Sequence, residues 1–144
     1  MAQADYSTEV GVDADRFYKV VLDYPSYPRF VEGMKSAEIL ETIDQKTRVR
    51  YRLSMMGKEF TYVLDHVSSP ANRGLSWTLV ESDFFSKNTG SWKIESGSDA
   101  SRAKVTYALD VEFKISIPGF MLKGLVKGSL PGMVRGFEAR AKEI

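Results

Sequence analysis

The connections between the predicted strands of this chain alternate between polar and apolar residues. From residue 34 onward, six stretches have the two-residue periodicity of β-strands, namely 34–43, 47–55, 58–68, 74–82, 86–96 and 102–116. Connections after the first, third and fifth strands are polar, whereas the others carry the large apolar residues Met55, Met56, Phe84, Phe85 and Phe120. Alternate turns of an up-and-down antiparallel sheet lie at the same end, so the sequence predicts one polar end and one apolar end. An exposed apolar end is typical of a cavity mouth, a membrane contact or a protein interface.

The hairpin formed by the second and third of these strands has a predictable register. A turn at Met56-Gly57 pairs apolar or aromatic residues on one face and oppositely charged residues on the other. These pairs are Leu53 with Phe60, Tyr51 with Tyr62, Val49 with Leu64, and Arg48 with Asp65. Such a pattern is typical of a sheet with one solvated face. In the same scheme Leu79 lies near Gly90, which predicts a gap on the inner face.

Aromatic and apolar side chains dominate the predicted inner face, and we interpret them as candidate ligand contacts. With two neighbouring segments they are Phe30, Met34, Tyr51, Leu53, Tyr62, Leu64, Trp77, Leu79, Asn88, Trp92, Tyr107, Leu109, Phe113, Met121 and Leu125. Two interpretations of the tyrosines stay open. They are either core residues whose hydroxyls reach water, or a cavity wall whose hydroxyls orient a ligand. The five apolar connection residues named above are the predicted cavity mouth.

Short elements precede the meander. Residues 6–12 alternate as a strand, and Asp13 is a good N-cap for a helix that runs to about Leu22. Pro25 ends this helix, because the residue before a proline avoids the α region. A second short helix is predicted over 26–31.

A long amphipathic helix is predicted at the C-terminus, from near Pro118 to about Lys142. Glycines recur in it every four residues, at positions 124, 128, 132 and 136. They favour either a close approach of helix and sheet or a helix that flexes above an internal volume.

Composition narrows the class of protein. The chain has 144 residues, of which 43% are hydrophobic and 27% charged, as in an ordinary globular domain. It has no cysteine, which excludes disulfides, cysteine-based metal sites and a thiol nucleophile, and agrees with a cytoplasmic location. We find neither a signal peptide nor a long apolar segment. A net charge of +1 predicts no direct nucleic-acid partner.

Charge is nevertheless uneven along the chain. Residues 114–144 contain six basic and two acidic residues. This segment is either a solvated helix face or a surface for an anionic partner, such as the periphery of a membrane.

His66 is the one histidine, and it shares the inward parity of its strand. A single histidine without a cluster of carboxylates does not make a metal site, so no metal or other cofactor is predicted. No Gly-x-Ser-x-Gly elbow, phosphate loop or dinucleotide motif is present. We therefore assign no catalytic residue. His66 is interpreted as a structural residue, with a polar ligand contact or a general base as the alternatives.

Several sequence stretches resemble one known superfamily. They are Leu-Asp-Tyr-Pro-Ser-Tyr-Pro-Arg-Phe-Val at 22–31, Gly-Ser-Trp at 90–92, the alternating run 105–113 and Phe-Glu-Ala-Arg-Ala at 137–141. With the element order, they make the chain resemble the START-like (SRPBCC), polyketide cyclase/dehydrase and lipid-transport superfamily. The stretch 23–31 is similar to the coenzyme-Q-binding branch. Members near that branch place a Trp-Cys pair shortly afterwards, where this chain has Glu32-Gly33-Met34.

The resemblance implies an α+β helix-grip fold, also called birch-allergen-like, in a single domain over residues 1–144. Its parts are a curved seven-stranded antiparallel sheet, two short helices and a long C-terminal helix over an apolar cavity. The family places the mouth of that cavity beside the N-terminus of the long helix. Turn alternation independently predicts the apolar end there.

Three functional hypotheses follow. The first is a binder, and in an extended form a carrier, of a hydrophobic small molecule such as a lipid, isoprenoid or quinone. The second is a polyketide cyclase or dehydratase that acts through His66 and tyrosines. The third is an interaction protein like the ribosome-associated toxin relatives, in which the apolar end or the basic helix contacts a macromolecule.

Overall fold

Seven antiparallel strands form one sheet in the order β1-β7-β6-β5-β4-β3-β2. The computed structural model describes residues 2–31, 33–55, 57–114, 116 and 130–144. The strands are β1 Ala2–Val10, β2 Met34–Ile43, β3 Lys46–Met55, β4 Lys58–Ser69, β5 Gly74–Ser82, β6 Phe85–Ser96 and β7 Ala103–Phe113. The six-strand meander predicted from residue 34 is confirmed, with strand ends that shift by at most a few residues.

Helices pack on the concave face of this sheet. They are α1 Ala14–Val21, a 3₁₀ helix Tyr24–Arg29 and α2 Leu130–Glu143. The Asp13 side chain accepts a hydrogen bond from the Arg16 amide, which confirms the predicted N-cap of α1. Two prolines give the second helix its tighter 3₁₀ form over 24–29 in place of 26–31. The predicted start of the C-terminal helix near Pro118 lies outside the described residues.

The predicted register of the β3–β4 hairpin is confirmed at every pair. Leu53 lies opposite Phe60, and Arg48 lies opposite Asp65. Gly57 has a φ of 76°, a left-handed conformation that glycine adopts without steric cost. Arg48 Nε donates to Asp65 at 2.8 Å on the outer face. The charged pair of this hairpin therefore lies on the outer face, and its aromatic residues lie on the inner face.

β1 ends two residues earlier than predicted. Its last residue is Val10, whereas the sequence predicted a strand over 6–12. The Gly11 amide donates to Glu138 Oε2 of α2 at 2.7 Å, so the chain turns from the sheet toward the helix at this point.

Four register shifts curve the sheet. They lie at Met34/Ser36 and Ile39/Glu41 in β2, at Leu79/Glu81 in β5, opposite Val63 and Leu64, and at Phe85/Lys87 in β6. Bulges bend a strand and increase its twist. The resulting curvature brings side chains from β3, β4, β6 and β7 toward one another.

The predicted pairing of Leu79 with Gly90 is wrong, because Trp77 occupies that position. A Cβ atom on Gly90 would lie 2.3 Å from Cζ2 of Trp77 and 2.6 Å from the Ala108 carbonyl oxygen. Gly90 thus provides the space that the indole ring fills. The expected gap on the inner face is occupied by this ring.

Candidate functional site

A helix-proximal aromatic cluster fills one part of the concave face. Phe137 of α2 packs against Trp92 and Phe30, with ring centroids 4.9 and 4.8 Å away. Phe17 of α1 meets the Trp92 ring at 5.5 Å. Trp92 and Phe30 were predicted ligand contacts. In the structure both rings contact the C-terminal helix, and their role as ligand contacts stays a prediction.

Phe84 and Phe85 form a second aromatic cluster, which is internal. We expected them as exposed residues of the apolar end, and this expectation is wrong because their relative exposures are 0% and 8%. Phe84 stacks on Phe60 at 4.3 Å, and both phenylalanines lie within 5.3 Å of the Phe113 ring. The two phenylalanines of this connection therefore fill one end of the sheet and are not exposed at a cavity mouth.

The inward path of this connection follows from how β5 and β6 separate. The two strands pair only between Gly74–Trp77 and Gly90–Lys93. The Ser82 hydroxyl accepts hydrogen bonds from the Phe84 and Phe85 amides, at 2.8 and 2.9 Å. Ser82 thereby fixes the turn and directs both rings into the space between the separated strands.

Neutral polar side chains lie between the two aromatic clusters, and we call Tyr51, Tyr62, His66, Trp77, Asn88 and Tyr107 the central polar zone. All six residues are buried. They come from β3, β4, β5, β6 and β7. A mainly apolar interior with a few polar groups is the usual composition of a small-molecule site.

His66 is held by Tyr51 and Tyr24. The Tyr51 hydroxyl and His66 Nε2 share a hydrogen bond of 2.7 Å, and the Tyr24 ring stacks on the imidazole at 4.4 Å. The other ring nitrogen, Nδ1, is fully shielded and has no hydrogen-bond partner among the described residues. Burial lowers the pKa of His66 to about 4, against a partial opposing effect of Asp65. The imidazole is therefore neutral at neutral pH.

Asn88 is oriented by Trp77. The indole Nε1 donates to Asn88 Oδ1 at 3.0 Å. Because an indole nitrogen is only a donor, this contact identifies the oxygen of the amide and leaves the Nδ2 amino group at its other end. No residue in the described ranges hydrogen-bonds that amino group. The side chain thus presents two unused N–H donors inside the protein.

Tyr62 and Tyr107 contribute two further hydroxyls. Neither hydroxyl has a hydrogen-bond partner within the part of the chain that the structure describes. Burial raises the pKa of both phenols, and the proximity of Tyr107 raises that of Tyr62 further. The Trp77 ring stands edge-on to Tyr107 at 5.7 Å, which links Tyr107 to Asn88 through the indole. Both phenols remain protonated donors at neutral pH.

The predicted ligand contacts distribute over the interior as follows. Those that are buried are Met34, Tyr51, Tyr62, Leu64, Trp77, Asn88, Trp92 and Tyr107. Those that are partly buried against the core are Phe30, Leu53, Leu79, Leu109 and Phe113. Those outside the described residues are Met56, Phe120, Met121 and Leu125, and of Met55 only the backbone at the end of β3 is described.

Tyr24 and Tyr27 are inner residues that the sequence analysis did not select. The Tyr27 hydroxyl donates to the Val21 carbonyl, and its ring stacks near Tyr51 at 6.1 Å. The two tyrosines are three residues apart and have prolines after them. Three-residue spacing places side chains on one face of a 3₁₀ helix, so this signal was present in the sequence.

Asp65 is the one charged residue that is buried among the residues that the structure describes. It lies on the outer face, where Arg48 and Lys46 hold its pKa below the usual range. Within the described ranges, no group of three or more His, Cys, Asp or Glu is placed to hold a metal ion. No helix of the described residues is long and apolar enough to cross a membrane.

Residues 10–138 match the family described as polyketide cyclase / dehydrase and lipid transport. The chain belongs to this family. Among its curated relatives is the ribosome association toxin RatA of Escherichia coli K12, which is 27% identical over 144 residues. That alignment covers all of this chain and 89% of the toxin. This family includes both hydrophobic-ligand binders and cyclase-like proteins.

Solved structures agree on the fold. An aromatase/cyclase from Streptomyces sp. R1128 has a TM-score of 0.86 at 18% identity, over 98% of this chain and 93% of that one. A START superfamily protein from Mycobacterium smegmatis has a TM-score of 0.86 at 22% identity, over 98% and 97% of the two chains. The predicted START-like helix-grip fold is therefore confirmed.

Proposed function

We propose that this protein binds a hydrophobic small molecule, such as a lipid, isoprenoid or quinone, within the curved sheet. One observation carries the proposal: the buried residues of the described concave face are aromatic, apolar or neutral polar, and its centre holds hydrogen-bonding groups that no described residue engages. Among these groups His66 Nδ1 is fully shielded, and a core that only maintained the fold would gain nothing from it, because a buried group without a partner costs about 1–3 kcal/mol. A ligand that supplies the partners removes that cost.

A carrier or binding role is favoured over catalysis by the state of His66. General bases work best when their pKa lies near the working pH. A pKa of about 4 makes this imidazole a weak base, and its Nε2 is already engaged by Tyr51. A cyclase mechanism through His66 would need both features to change on substrate binding.

Ligand titration tests the proposal. We expect apolar ligands to bind at micromolar strength, about −8 kcal/mol, and to change tryptophan emission. Trp77→Phe should remove most of the emission response, whereas Trp92→Phe, at the helix-proximal cluster, should preserve it. An unchanged signal across a panel of alkanes, ketones, quinones and fatty acids, together with no binding by calorimetry, would refute the proposal.

A macromolecular partner is the second candidate, favoured by the toxin relative and by an exposed apolar edge. Edge strand β2 carries Ile39, Leu40 and Ile43, with relative exposures of 44%, 42% and 57%. Unprotected edge strands pair readily with other chains. We propose that this edge contacts a ribosomal surface in such a role. Cosedimentation with ribosomal subunits should then be lost in Ile39→Ser/Ile43→Ser and kept in Tyr62→Phe.

A further inference from the structure

The central polar zone contains N–H and O–H donors that have no acceptor among the described residues. Asn88 supplies the two N–H bonds of its amino group, and Tyr62 and Tyr107 supply one O–H bond each. The orientation of Asn88 is fixed because Trp77 Nε1 occupies its oxygen at 3.0 Å. Rotating the amide would place an amino group against the indole N–H, so the donors must remain at the end of the amide that faces away from the indole. The zone therefore offers four N–H and O–H donors, beside His66 Nδ1 and the two phenol oxygens.

These donors belong to one neighbourhood. Asn88 touches Trp77, and the Trp77 ring meets the Tyr107 ring at 5.7 Å. Tyr62 joins this neighbourhood through Tyr51, whose ring stacks on it at 5.1 Å and whose hydroxyl bonds His66. The His66 ring in turn lies 6.0 Å from that of Trp77. Three strands thus direct neutral donors into the same region, because the bulges in β5 and β6 curve the sheet around it.

Charge is the second constraint on a ligand. No Lys or Arg among the described residues is buried, and His66 is neutral. Burying a carboxylate or phosphate without a cation is far more costly than burying a neutral carbonyl group. A carbonyl oxygen, in contrast, accepts two hydrogen bonds and matches the donors available.

We propose that the ligand is an apolar molecule with an uncharged carbonyl oxygen, which Asn88 Nδ2 and the hydroxyls of Tyr62 and Tyr107 bind. This inference rests on the proposed function and adds the chemical class of the polar group. It predicts selection against fatty acids and phospholipid head groups at this position. Ketones, esters and quinones have the required oxygen.

The test compares a medium-chain methyl ketone with the alkane and the fatty-acid anion of the same length. At about pH 7.5 the ketone should bind roughly tenfold more tightly than either of the other two. In Tyr62→Phe/Tyr107→Phe the ketone should lose roughly tenfold in affinity, while the alkane binds as before. The melting temperature of this variant should stay the same or rise, since the removed hydroxyls have no partner among the described residues.

Tyr18→Phe is the matched control. Its hydroxyl donates to the Gly74 carbonyl at 2.8 Å, away from the central polar zone. This variant should lose some stability and keep the ketone-to-alkane affinity ratio. Equal binding of all three ligands, or an unchanged ratio in the double variant, would overturn the carbonyl assignment and leave the proposed function standing. Failure of every ligand to bind the unaltered protein would overturn both.

Discussion

Replacing His66 with Gln should remove a specific part of the pH dependence of folding. The pKa of His66 is 6.5 in an unfolded chain and about 4 in the folded protein. Because burial depresses this pKa, the stabilisation is fully present above pH 6.5 and is lost as the pH falls toward 4. The total effect is about 3 kcal/mol, and about 2 kcal/mol is already lost at pH 5. Gln keeps a polar group near the Tyr51 hydroxyl and cannot titrate.

Urea unfolding of both proteins between about pH 7.5 and pH 5 measures this effect. We expect the unaltered protein to be more stable at pH 7.5 and to lose about 2 kcal/mol relative to the variant by pH 5. Carboxylates with lowered pKa, such as Asp65, lose their contribution mainly at lower pH and are common to both proteins. Parallel stability curves for the two proteins would contradict the burial of a neutral imidazole.

Three further predictions test how the interior is built. Phe84→Ser should lower the free energy of unfolding by about 3–5 kcal/mol, because the ring is fully buried. A loss under about 1 kcal/mol would indicate that the ring is exposed. Gly90→Ala should cost about 2–3 kcal/mol and shift the Trp77 emission, since the added methyl overlaps the indole. Gly132→Ala should stabilise α2 by about 0.5–1 kcal/mol, whereas Gly136→Ala, whose Cβ would lie 3.1 Å from a backbone oxygen, should give no gain. Equal gains from Gly132→Ala and Gly136→Ala would refute the close packing of the helix at Gly136.

Local chemistry made much of this fold predictable from the sequence. The β3–β4 register follows from a turn at Gly57 and from residue pairs that agree on both faces. The start of α1 follows from the capping side chain of Asp13. In both cases the decisive interactions join residues that are close in the sequence.

The errors arose where distant residues decide the structure. Phe84 and Phe85 have the sequence appearance of an exposed apolar turn. Their burial depends on Ser82, which fixes the turn, and on the separation of β5 from β6 after Trp77. That separation is a property of the curved sheet as a whole. This connection also sets the register of β5 against β6, in which Trp77, and not Leu79, lies opposite Gly90.

Candidate site residues were predictable as a set but not in their roles. Strand parity selected Tyr62, Asn88 and Tyr107 as inward residues, and all three are buried. The orientation of Asn88 depends on Trp77, eleven positions earlier on a different strand. Strand parity also does not distinguish these three residues from Trp92, which is inward as well but whose ring is covered by the helices.

An NMR experiment on the protein saturated with a methyl ketone shows whether the ligand enters the curved sheet. Intermolecular nuclear Overhauser effects locate the ligand without assuming its affinity. We predict contacts from the ketone chain to the Trp77 indole and the Tyr107 ring inside the sheet. Contacts confined to the exposed methyl groups of Ile39 and Ile43 on β2 would contradict the account, because they would place the apolar ligand on the surface.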